Sequence, residues 1–137
     1  MKEKYILFTT SLLAVASALA FNALNLRNPV INADCPDPSI VYDGTNYYMV
    51  TTTMHLNPGA PVMRSSDLRH WETVSYVFDK IPGGDDARWN LCAEDGDTYY
   101  GQGQWAASLK IHDGRFYCYF VCNRIGGFLY EADRAEG

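Results

Sequence analysis

Two Asp-Gly turns, Asp43-Gly44 and Asp113-Gly114, stand 70 residues apart in this chain. Each lies between a short strand-like run opened by a serine and a tyrosine-rich run: 39–42 with 47–53, then 109–112 with 115–122. Further strand-like runs follow, at 61–64 and 73–78 in the first half and at 128–131 in the second. A repeat of this length with about four short strands per unit predicts an all-β chain built as blades of a β-propeller. Closure needs at least four blades. One predicted blade is whole and the next stops in its third strand, so the chain reads as the N-terminal part of a longer propeller.

Tight turns separate these runs. Gly44 is suited to the positive φ that the first turn needs, and Asn57-Pro58-Gly59 ends the second run. Between the two halves, 79–103 is irregular, acidic and rich in glycine. Its Asp95-Gly96-Asp97 lacks the fuller ligand spacing of a calcium loop and reads as a solvated turn. Ten tyrosines and three tryptophans among 137 residues fit strands better than helices.

Lys2 and Lys4 precede an uncharged run, 6–20, that ends in Ala18-Leu19-Ala20. This is the pattern of a secretory signal peptide covering residues 1–20. The run is too short for a membrane anchor, which needs roughly 20 apolar residues. Loss of Lys2, Glu3 and Lys4 would take the formal net charge from −5 to −6. Such a surface does not attract nucleic acid. The expectation is a secreted or periplasmic protein with no membrane attachment after cleavage. Cys35, Cys92, Cys118 and Cys122 show no zinc spacing with His55, His70 or His112. Cys118 and Cys122 would lie about 13 Å apart along one strand, too far to bridge, so buried free thiols are expected.

The chemistry-bearing stretch is Asp34-Cys35-Pro36-Asp37-Pro38-Ser39. Pro38 is expected to hold Asp37 extended, presenting an acid on stiff backbone at the mouth of the first strand. By itself the stretch also fits a plain turn into a strand.

In order along the chain, several motifs resemble glycoside hydrolase family 43. They are Asn28-Pro29-Val30, Ala33 to Ser39, Tyr47-Tyr48, Thr53-Met54-His55 with Pro58 to Pro61, Ser66 to Glu72, and Tyr100 to Leu109. His112, Gly114, Phe116 and Tyr117 complete the set. The resemblance implies a five-bladed β-propeller glycosidase of the α-L-arabinofuranosidase or β-xylosidase kind, acting by inversion on hemicellulose-type glycans without a cofactor or metal. It makes Asp37 the general base. The partner acid and the carboxylate that adjusts it are expected beyond Gly137, so this chain alone is expected to be inactive. Many members have proline where Ala107 stands.

The resemblance also places Asp34, His55 and Trp105 as substrate-binding candidates. Asp34 fits a place by the pocket or a turn cap equally well. His55 is either a donor to a sugar hydroxyl or a plain loop histidine. Trp105 either offers its ring to a sugar or fills the core between blades, and Trp71 reads as blade core. The competing function is a sugar-binding propeller without catalysis.

Overall fold

The computed structural model describes residues 28–85, 87–91 and 96–137. The expected signal peptide lies outside these residues, as do Cys92 and Asp95. The chain divides into Met1–Val30 and Ile31–Gly137. The second unit carries every strand among the described residues. It contains β1 (Ser39–Tyr42), β2 (Tyr47–Val50), β3 (Gly59–Ser65), β4 (Glu72–Phe78), β5 (Gln104–His112), β6 (Arg115–Cys122) and β7 (Gly126–Ala132). A short 3-10 turn, Ala87–Asn90, interrupts the long connection.

The strands form two antiparallel meanders, β1-β2-β3-β4 and β5-β6-β7. These are one four-stranded propeller blade and three strands of the next. Their first strands lie side by side, and the Leu109 amide donates to Ser39 Oγ at 3.0 Å. The repeat in the sequence is thus a repeat in space, with Ser39 stitching one unit to the next.

Turn chemistry explains the hairpins. Asp43 Oδ1 accepts from the amides of Thr45 and Asn46, both at 2.7 Å. These bonds hold the Asp43 carboxyl below the usual carboxylate range. Asp113 and Gly114 both take positive φ, 48° and 76°, as a two-residue hairpin turn requires.

Side chains of β6 alternate. Cys118, Phe120 and Cys122 are buried, whereas Tyr119 and Val121 are exposed. Phe120 packs on Phe78 of the first blade (ring centroids 5.3 Å apart) and on Phe128 and Tyr130 of its own (5.8 and 5.7 Å). Tyr48 meets Phe116 edge-on at 5.1 Å. The core therefore lies between the blades, as the period-2 pattern demands. Trp89 and Tyr99 fold the long connection onto this core, with ring centroids 4.6 Å apart.

Cys118 and Cys122 are buried free thiols, and Cys35 is a half-buried one. Burial pushes the Cys118 thiol up to about 11.

Several expectations change. The second strand stops at Val50, not 53, because Thr52 and Thr53 bond elsewhere. The Thr52 amide donates to Pro36 O at 3.0 Å and the Thr53 amide to Gln104 Oε1 at 2.8 Å. β5 begins at Gln104, five residues earlier than expected, and carries a bulge between Trp105 and Ser108. Trp71 is half-buried and lines a polar surface groove, so it is not blade core. Its Nε1 donates to Leu68 O at 3.3 Å, which keeps the indole at the loop and away from the sheet.

Candidate active site

Asp37 stands two residues before β1 and is exposed. Its backbone is not extended: φ is +51°, in the left-handed region. Aspartate tolerates this region better than most residues, but a following proline disfavours helical geometry. Tertiary bonds override that local preference. Thr52 Oγ1 donates to Asp37 Oδ2 at 2.8 Å, and the Thr52 amide holds the preceding Pro36 carbonyl. Thr52 is itself buried. The carboxylate is therefore aimed by a fixed hydroxyl, and its second oxygen can accept another partner.

A second set of bonds lies at the same end of the sheet. Met54 and Gln104 exchange backbone hydrogen bonds of 3.1 and 3.0 Å, joining the loop after β2 to the start of β5. Gln104 is fully buried. Its Oε1 accepts from the Thr53 amide and, at 3.2 Å, from Thr53 Oγ1. Its Nε2 has no hydrogen-bond partner among the described residues. Gly103 allows this close approach, because a Cβ there would overlap the Met54 carbonyl oxygen.

This clamp places the exposed rings. The Gly101 amide donates to His55 Nδ1 at 3.2 Å, and Gly101 O accepts from Trp105 Nε1 at 3.2 Å. One residue thus fixes both side chains. With Nδ1 accepting, the neutral imidazole carries its proton on Nε2, a donor for a ligand. Tyr100 lies against His55 with ring centroids 5.1 Å apart and is 75% exposed. Trp105 is 50% exposed, so the core reading for this side chain fails. The adjacent bulge turns the strand here, and bulges commonly re-aim a side chain in this way.

The structure brings Asp37, His55 and Trp105 into one connected framework through Thr52, Thr53 and Gln104. Asp34 is exposed in the loop before β1 and joins none of these bonds. Burial, and then the Asp34 charge, push the Cys35 thiol up. Asp37 does not line the polar groove that holds Trp71. Nothing in the sequence marks Thr52, Gln104 and Gly101 as site residues. A lone threonine after a strand and a glutamine between glycine and tryptophan carry no local signal of a shared clamp.

Adjacent antiparallel meanders joined at their first strands and sharing one core are the architecture of a β-propeller. The chain belongs to the glycosyl hydrolases family 43, whose model matches residues 26–137. It is 38% identical over 94 residues to a beta-xylosidase of Formosa agariphila, covering 69% of this chain and 15% of that protein. It is 42% identical over 122 residues to xylosidase/arabinosidase 43B of Humicola insolens, covering 82% of this chain and 21% of that protein. Among solved structures, a bifunctional GH43-CE protein of Bacteroides eggerthii superposes with a TM-score of 0.73 at 39% identity. The match covers 81% of this chain and 14% of that one. The two blades correspond to part of a five-bladed propeller. The chain spans about a seventh to a fifth of the length of these relatives.

Proposed function

We propose that the protein carrying this chain hydrolyses glycosidic bonds in xylose- or arabinose-containing glycans by inversion, with Asp37 as the general base. The observation that carries this reading is the carboxylate at the head of β1, aimed by Thr52 Oγ1 at 2.8 Å. An inverting base must hold a water against the sugar while an acid about 6.5–9.5 Å away protonates the leaving oxygen. A carboxylate oriented before substrate arrives reduces the ordering needed in the transition state. Strain of the kind seen at Asp37 concentrates at functional sites. In this reading Trp105 stacks on a sugar face, and His55 donates from Nε2 to a hydroxyl. Asp34 lines the approach.

The general acid and the carboxylate that adjusts it come from other blades, so these 137 residues alone have no turnover. A signal peptide at residues 1–20 directs the protein out of the cytoplasm.

The test is release of 4-nitrophenol from an aryl β-xyloside and an aryl α-L-arabinofuranoside by the full-length protein. Asp37→Asn is expected to lose turnover by about a thousandfold, at the middle of the range for general acid–base catalysis, while retaining sugar binding. Unchanged turnover would remove Asp37 from the base role. Proton NMR of the first-formed product should show the inverted anomer.

A further inference from the structure

We propose that the far end of the first blade carries a second glycan-binding groove, distinct from the Asp37 site, that holds a neutral polysaccharide chain. This inference rests on the glycosidase reading only for the choice of glycan.

The groove is lined by Asn46, Arg64, Ser66, His70, Trp71 and Glu72, around Ser65, and encloses about 470 Å³. Strand register fixes its position. Ser39 pairs with Val50 and Val50 with Val62, at the Asp37 end. Tyr42 pairs with Tyr47, Tyr47 with Ser65, and Arg64 with Glu72, at the other end. Asp37 precedes β1 at the first end, whereas the groove residues follow or close the strands at the second. The length of β1 alone separates the two by about 10 Å.

The lining is ordered before any ligand arrives. Arg64 bonds Glu72 Oε1 through Nε at 3.1 Å and Nη2 at 2.6 Å, and Glu136 through Nη1 at 2.8 Å. Asp67 Oδ2 meets His70 Nδ1 at 2.7 Å. Asp67 Oδ1 accepts from the amides of Arg69 and His70. Buried Ser65 accepts from the Asp67 and Leu68 amides. Trp71 is tied to its own loop through Nε1. Arg64, Glu72, His70 and Trp71 thus have less side-chain freedom to lose on binding.

Charge then selects the ligand. Two carboxylates already face Arg64, so a phosphate or sulfate would have to displace them. The described residues hold no cluster of three or more metal-ligating side chains. What is offered is the open edge of a half-buried indole among neutral and paired polar groups. That combination suits a sugar, with an apolar face for the ring and hydroxyls directed to Asn46, Ser66 and the outer edges of the ion pairs.

The experiment is retention of the full-length protein on insoluble arabinoxylan, with parallel turnover of the aryl glycosides. Ser66 is exposed, and Ser66→Arg fills the groove without touching the core. It is expected to weaken retention by about tenfold, and Trp71→Ala by a similar factor, with aryl glycoside turnover unchanged in Ser66→Arg. Inorganic phosphate should not elute the protein. Retention unaffected by Ser66→Arg, elution by phosphate, or loss of all retention in Trp105→Ala would overturn the proposal. If retention depends on Ser66 but no aryl glycoside is hydrolysed, the groove stands and the glycosidase reading falls.

Discussion

Gly103 and Gly44 form a natural controlled pair for the clamp between the blades. Both have nearly the same backbone, φ +105° and +102°. A Cβ on Gly44 meets nothing within 4 Å. A Cβ on Gly103 would overlap the Met54 carbonyl oxygen and come within 2.9 Å of its carbon and 3.0 Å of Ile81 Cδ1. Gly44→Ala therefore has only the backbone cost, roughly 1–2 kcal/mol for an L-residue at positive φ. Reduced freedom of the unfolded chain offsets about 0.4–1 kcal/mol of it, leaving about 1 kcal/mol. Gly103→Ala carries the same term and must also push Met54 away. That movement breaks the two Met54–Gln104 backbone bonds, at about 1 kcal/mol each. The expected loss is about 3 kcal/mol. Urea denaturation of both variants, followed by tryptophan fluorescence, measures the difference. Equal destabilisation would show that the Met54–Gln104 clamp does not hold the blades as described. With His55 and Trp105 as the proposed sugar-binding side chains, Gly103→Ala should also weaken sugar binding, because both hang from the same clamp through Gly101.

Thr52→Val keeps the shape of a buried side chain but removes the donor to Asp37. In the full-length protein it should lower kcat by about tenfold or more, the kinetic equivalent of a lost charge-assisted bond, with KM nearly unchanged; intact kcat would mean that Thr52 does not aim the proposed base. Asp67 is held below the usual carboxylate range by the His70 amide, the His70 ring and the Arg69 amide. A depressed folded value means stability that is present above the unfolded carboxylate value and lost as pH falls through the folded one. Asp67→Asn should therefore flatten the acid limb of a stability–pH curve below about pH 4, and an unchanged limb would refute that assignment. Ala107 sits at the β5 bulge, where proline is tolerated, so Ala107→Pro should shift stability by less than about 1 kcal/mol. Leu109→Pro removes the amide that bonds Ser39 and should cost about 3 kcal/mol or more in the same denaturation assay.

The 70-residue repeat, the Asp-Gly turns and the alternating strands were legible because each is local. Turn residues and period-2 patterns act over a few positions, and they determined the all-β class, the order of the strands and the meander within each blade. They also marked the stretch that holds Asp37. Local rules misjudged that residue's own backbone. Pro38 disfavours the conformation that Asp37 adopts, and bonds from Thr52, 15 positions away, impose it. The end of β2, the early start of β5 and the shared support of His55 and Trp105 follow the same pattern. Each depends on Gln104 or Gly101, which meet residues about 50 positions earlier in the chain. The sequence by itself decided that an acid stands at the mouth of a first strand. Only the tertiary structure decided where that acid points, through Thr52 across the β1–β2 pair, and how His55 is held, through Gly101 at the start of the next blade, because those hydrogen-bond partners become neighbours only after the chain folds.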